Sequence, residues 1–167
     1  LWASLSSDQV FKTDVLSMGK IGLQWVSELS FGGIKTANEG RALLDTEPLL
    51  RLIRNNVDLK KIQENIDAKN IEALAITALD YQTSQTVTFV QGREDLKSWQ
   101  KSRRFSERAL ITAEHVLASS SIPILFPSTQ VGERHYGDGC VRNVSPISPA
   151  IHLGATQALV IGVRLQT

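Results

Sequence analysis

The sequence predicts an α/β fold built as a layered sheet, and three observations carry that prediction. Short β-branched or nearly continuous apolar runs (73–79, 86–90 and 157–163) alternate with segments of helical periodicity (49–53, 59–66 and 109–118). Glycine and proline clusters separate the two kinds of segment. With 167 residues, 42% of them apolar and 21% charged, the chain is long enough to bury one core, and a single domain over 1–167 is expected.

In chain order, apolar residues at helical spacing from Val10 to Leu29, broken at Gly19 and Gly22, predict two short helices around a bend. The run Phe31 to Gly40 has three glycines and little periodicity, which makes it a loop. Asp45 and Thr46 ahead of Pro48 mark a helix start, since proline is tolerated in a first turn where its missing N–H is not needed. Asp58 is placed to begin a second helix, Leu59 to Ile66. Ala73–Leu79 and Thr86–Val90 are strands joined by the polar turn Tyr81 to Gln85. Arg93 to Arg108 carries six basic residues and is expected outside the core. A helix from Ala109 to Ala118 ends before Pro123, which forbids continuation. Gln130-Val131 and Arg134-His135-Tyr136 pair as a small hairpin across Gly132-Glu133. Pro149 to Leu153 begins a helix stopped by Gly154, and Gln157 to Val163 is a buried strand.

The formal charge of +1, from 18 basic and 17 acidic residues, argues against a general electrostatic hold on nucleic acid. One cysteine, Cys140, excludes an internal disulfide and a cysteine-based metal site. No metal or cofactor site is expected, because His115, His135 and His152 share no compact ligand spacing. The longest apolar stretches fall far short of the roughly 20 residues that cross a bilayer. The start at Leu1-Trp2-Ala3, without Met, suggests the interior of a longer protein, whose targeting signal would lie elsewhere.

Chemistry concentrates at Gly137-Asp138-Gly139, at the end of a predicted strand, where α/β folds place functional loops. Flanking glycines give the backbone conformational freedom and leave space around the carboxylate. On pattern alone, Gly-Asp-Gly is more often a plain turn. Its neighbours change that. Ala118-Ser119-x-x-x-Pro123, then Asp138-Gly139-Cys140, then Asn143-x-x-Pro146 follow one another in an order and spacing that closely resemble the bacterial type of the patatin-like phospholipase family. Upstream, Thr77-Ala78-x-Asp80-Tyr81 with Thr83 and Val87-Thr88-Phe89-Val90 is similar as well.

The resemblance implies a three-layer α/β/α fold with a mostly parallel central sheet, of which this chain is the C-terminal part. It implies hydrolysis of lipid acyl esters through a Ser-Asp dyad, with Asp138 as the base and Gly137, Gly139 and Asn143 as its supporting loop. The third position of the aspartate block, usually Gly or Ala in the family, is Cys140. The family's glycine-rich oxyanion loop and Gly-x-Ser-x-Gly nucleophile elbow have no counterpart. Ser17 and Ser30 each have a glycine two residues on, but Val15 and Glu28 stand where the first glycine should be. The chain alone is therefore expected to be inactive, with the missing blocks on an N-terminal segment of the same protein. The rival reading is a catalytically silent interaction or scaffold module that keeps the fold.

The remaining candidates have structural readings. The three histidines lack a catalytic setting, and Ser119, Ser120 and Ser121 are expected to bond to the backbone at a helix end. Cys140 is expected as a small buried filler, because the neighbouring carboxylate raises a thiol's pKa. The partners implied are a lipid or acyl-ester substrate and, through Arg93, Lys97, Lys101, Arg103, Arg104 and Arg108 with Trp99, a peripheral membrane contact. A cytoplasmic or membrane-peripheral location accords with both.

Overall fold

The computed structural model describes residue 10 and residues 44–142 and 146–161. The two helices and glycine-rich loop expected before residue 41, and Asn143, lie outside the described residues. In order, the elements are α1 (Glu47–Asn56), α2 (Lys60–Asp67), β1 (Ala73–Asp80), β2 (Thr86–Gly92), β3 (Gln100–Lys101), β4 (Arg104–Arg108), α3 (Ala113–Ser120), β5 (Thr129–Val131), β6 (Arg134–Asp138), a 3₁₀ turn (Gly139–Val141) and α4 (Ser148–His152).

Local chemistry explains the helix starts. Asp45 accepts from the backbone N–H of Glu47 at 2.9 Å, and Pro48 occupies the first turn of α1. At α3, Thr112 forms a capping box in which His115 replaces the usual Glu or Gln: its Nδ1 accepts from the Thr112 N–H at 3.1 Å. The helix accordingly begins at Ala113 rather than at the expected Ala109, and Ile111 is buried ahead of it.

The six strands form one sheet in the order β3-β4-β2-β1-β6-β5. β1 is central, antiparallel to β2 on one side and to β6 on the other. Only β2 and β4 run parallel; β3–β4 and β5–β6 are antiparallel. Among the described residues the sheet is therefore mixed, not mostly parallel. Chain connectivity accounts for this, because β1–β2, β3–β4 and β5–β6 are joined by tight turns, and a tight turn reverses direction.

Strand alternation divides the two faces. Ala78, Val87, Phe89 and Tyr136 form the core beneath Ile111 and Ala118, with Leu74 and Ile76 packed against it. Phe89 makes edge-on ring contacts with His115 at 4.5 Å and with Tyr136 at 5.2 Å. The opposite face of β1, Ala73, Ala75 and Thr77, is small and looks toward α4 across an open cavity of about 460 Å³. Helices thus flank both faces, as a layered α/β/α arrangement requires.

Two segments depart from expectation. Part of 93–108 belongs to the sheet as β3 and β4, and Phe105 packs against the core. Arg108 makes this possible by donating to the carbonyls of Gly92, Arg93, Glu94 and Leu96, which tucks the preceding loop around one guanidinium. The expected strand 157–163 is not a strand over its described part: Leu159 and Ile161 are 90% and 87% exposed. β-propensity reports fit to a paired, half-covered surface, and among the described residues no strand pairs with this run.

α1 and α3 are bridged by an ion pair of Arg54 with Glu114. A hydrogen bond from the Thr112 side chain, then the Arg54 guanidinium, hold the Glu114 carboxyl down to about 2, against partial burial that opposes them. The folded value lies below an unfolded one of about 4.3, so the stabilisation is present above that pH and is lost on acidification toward 2. Near the surface it should be worth about 0.5–1 kcal/mol. Chemical denaturation of wild type and Glu114→Gln should show a stability gap of that size at neutral pH that narrows below about pH 4 and closes only below about pH 2. A gap of equal size in both ranges would remove the pair as its source.

Candidate functional site

Asp138 is the last residue of β6, half-buried, and three backbone contacts fix it. Its N–H donates to the carbonyl of Ser121 at 2.8 Å, tying it to the end of α3. Its Oδ1 accepts from the Cys140 N–H at 2.8 Å, which caps the 3₁₀ turn that follows. Across the sheet it lies opposite Ala78 in β1, with Gly137 opposite Leu79. The carboxylate is held by main chain rather than by a flexible neighbour, as a positioned proton acceptor requires.

The two glycines prove to be about space. Neither has a positive φ; among the described residues the positive-φ glycines are Gly132 and Gly154. A Cβ at 137 would fall on the Tyr81 hydroxyl and within 2.5 Å of its Cζ. At 139 it would stand 2.6 Å from the Thr77 carbonyl oxygen. So β6 and the turn after it press against β1 and the β1–β2 turn more closely than any side chain permits.

That β1–β2 turn is built on Asp80, which has no exposed surface. Its Oδ1 accepts from the N–H groups of Gln82 and Thr83, and its Oδ2 accepts from Arg134 at 3.1 Å, at the start of β6. The Tyr81 N–H donates to the His135 carbonyl, and the Arg142 guanidinium donates to the Ser84 carbonyl. The turn and the Asp138 loop are thereby laced together on both sides. Sequence reading placed Tyr81 to Gln85 in a turn and Asp80-Tyr81 in a family-like segment, without a role for the Asp80 carboxylate; the signal was the acidic residue two and three positions before backbone N–H groups that need an acceptor.

The serines lie where a helix end uses them. Ser120 and Ser121 hydroxyls donate to the Leu117 carbonyl at 3.0 and 2.8 Å, and Ser121 also meets the Thr129 hydroxyl at 2.9 Å. His115 is buried in its capping box, and burial pushes it below the ordinary imidazole value, against the pull of Glu114. His135 contacts the Ser128 hydroxyl at 3.2 Å, while His152 stacks on Trp99 at 4.8 Å. Each histidine thus has a partner away from the Asp138 carboxylate.

Cys140 is exposed, which corrects the expectation of a buried filler. Its thiol hydrogen-bonds the Asp138 carboxylate, and that bond, then burial and charge, raise its pKa and disfavour the thiolate. The position is small because it must turn over Asp138, not because it fills the core. The cavity between β1 and α4 is lined by Ala73, Ala75, Thr77, Pro149, Ala150 and Leu153 among others. It reaches the back of the turn through Thr77 and not the carboxylate itself. Among the described residues there is no metal-binding group of His, Cys, Asp and Glu, and no helix long and apolar enough to cross a membrane.

The tightness at Gly139 gives a direct test of this site. Gly139→Ala must move the Thr77 backbone or the turn, at a cost of about 1–3 kcal/mol, comparable to overpacking a core. Chemical denaturation should show a loss in that range; a variant as stable as wild type would mean that the turn and β1 are not in contact.

Against known proteins, the family model for patatin-like phospholipases matches residues 3–151. Neither the curated proteins nor the solved structures yield a match.

Proposed function

Because the chain belongs to the patatin-like phospholipase family, a family of lipid hydrolases, we propose that it hydrolyses lipid acyl esters with Asp138 as the general base of a Ser-Asp dyad. The observation that carries the reading is the Asp138 carboxylate, held by main-chain contacts at a strand end. In this reading a serine outside these 167 residues attacks the ester carbonyl while Asp138 accepts its proton. The C–O bond to the alcohol breaks, and Asp138 returns the proton to the departing oxygen. Water then attacks the acyl-enzyme, giving a proton to Asp138; the acyl–serine bond breaks, Asp138 returns that proton to the serine oxygen, and the fatty acid leaves. A carboxylate is a weak base, so a preorganised approach of the serine to Asp138 would be what makes it useful.

The alternative, a silent module with the same fold, takes its support from the missing nucleophile elbow. One experiment separates the two. In the full-length protein Asp138→Asn keeps the shape of the loop, since the amide is nearly isosteric. It should lower kcat by about 10²–10⁴-fold, whereas His115→Ala, His135→Ala and His152→Ala should retain activity apart from stability losses. Wild type without hydrolysis of any lipid ester would support the silent module. An Asp138→Asn enzyme within a few-fold of wild type would displace Asp138 as the base.

A membrane contact through the basic segment belongs to the same proposal, with fewer residues than the sequence suggested. Arg108 is occupied by four carbonyls, Arg93 pairs with Glu72 and Asp95, and one face of Trp99 is covered by His152. Lys97, Lys101 and Arg103 remain exposed around β3. Binding to vesicles containing phosphatidylserine should exceed binding to neutral vesicles. Lys101→Gln and Arg103→Gln should each reduce that preference about 5-fold, the worth of roughly 1 kcal/mol per charge near an anionic surface. Equal sedimentation with both vesicle types would end this part of the reading.

A further inference from the structure

We propose that Tyr81 is a second substrate-contacting residue of the Asp138 site, its phenol O–H donating a hydrogen bond to an oxygen in the alcohol portion of the bound ester. The inference rests on the proposed function above and adds a specificity determinant to it. The Tyr81 ring lies directly against Gly137, the residue before Asp138, in the space that any Cβ there would fill. The hydroxyl end, not the ring edge, makes the closest approach, so the glycine admits a polar group to this position. Tyr81 is also 39% exposed, which leaves it accessible to a ligand.

The backbone that carries the ring is fixed from below. Its own N–H is bound to the His135 carbonyl at 3.1 Å, and Asp80 clamps the next two N–H groups of the turn. The turn backbone that carries Tyr81 is thereby ordered before substrate arrives, which removes part of the cost of making the contact. Partial burial and the nearby Asp138 carboxylate both raise the phenol's pKa, so the group stays a neutral donor throughout the working pH range. A donor beside a base suits an ester: the carboxylate addresses the attacking hydroxyl, and the phenol addresses oxygens of the alcohol to be released. Acyl esters of glycerol or of a phosphoglycerol headgroup supply such acceptors, whereas a p-nitrophenyl ester of the same acid has no hydroxyl or phosphate oxygen there.

The test compares two esters of one fatty acid in the full-length protein, a monoacylglycerol and the p-nitrophenyl ester. Tyr81→Phe removes only the hydroxyl. The ratio of kcat/KM for the glyceryl ester to that for the p-nitrophenyl ester should fall about 3–10-fold, the range for one neutral hydrogen bond. Gly137→Ala provides an independent route, because its Cβ displaces the same hydroxyl while leaving the tyrosine in place, and it should lower the ratio in the same direction. A merely structural role for Tyr81 predicts parallel losses on both esters, so a ratio within two-fold of wild type in the folded variants overturns the proposal. Asp138→Asn, run alongside, reports separately on the dyad: it should lower kcat for both esters about 10²–10⁴-fold whatever Tyr81 does.

Discussion

A carboxylate with no exposed surface persists as a charge only if its oxygens are answered by donors, and Asp80 is the place where this chain meets that demand. Two backbone N–H groups of its own turn take one oxygen and Arg134 takes the other. The arrangement does more than neutralise a buried charge. It fixes the β1–β2 turn at one end and the first residue of β6 at the other, so the strand that delivers Asp138 enters the sheet in one register. A one-residue slip would reverse the faces of β6, exposing Tyr136 and burying its neighbours. The partly exposed position of Arg134 keeps the desolvation cost on one partner only.

Asp80 and Asp138 are the same residue in adjacent strands, and their surroundings give them opposite uses. Asp80 has its oxygens committed to the turn and to Arg134, and none of its surface is exposed. Asp138 has one oxygen held by the Cys140 N–H and a thiol beside it, at an open strand end. A committed carboxylate serves as a strut, and a half-solvated one can exchange protons. The separation of roles follows from burial and partners rather than from sequence context, since both residues are followed by turn-forming segments.

Much of this was legible in the sequence because it depends on local rules. Pro48 and Asp45 marked α1, the nearly continuous apolar run 73–79 and the β-branched run 86–90 marked β1 and β2, and Gly132-Glu133 marked the β5–β6 hairpin. The family resemblance, carried by the spacing of Ala118, Pro123, Asp138 and Pro146, was equally readable. What escaped depends on contacts distant along the chain. The charged segment 93–108 gave no strand signal because β4 is held by parallel pairing with β2 and by the Arg108 carbonyl cluster, neither of which has a local pattern. The run 157–161 had the composition of a buried strand, yet composition supplies neither a ladder partner nor a cover. His115 in a capping box where Glu or Gln is usual shifted the start of α3 by four residues from Ala109.

The glycines around Asp138 show how a correct motif can be assigned for an incomplete reason. Conformational freedom would make each glycine replaceable by Asn or Asp, the residues that best tolerate positive φ. The observed φ values remove that argument, and close approach takes its place. Under close approach a side chain at 139 would press on the Thr77 backbone carbonyl, which cannot step aside, whereas one at 137 would displace the Tyr81 hydroxyl, the far end of a side chain. The consequence reaches beyond the loop. Gly137 and Gly139 set how near the strand that carries Asp138 comes to β1, and through Tyr81 they also set what stands beside its carboxylate. The glycine, aspartate and tyrosine therefore form one spatial unit, although Tyr81 is far from Asp138 in the chain and no sequence motif joins them.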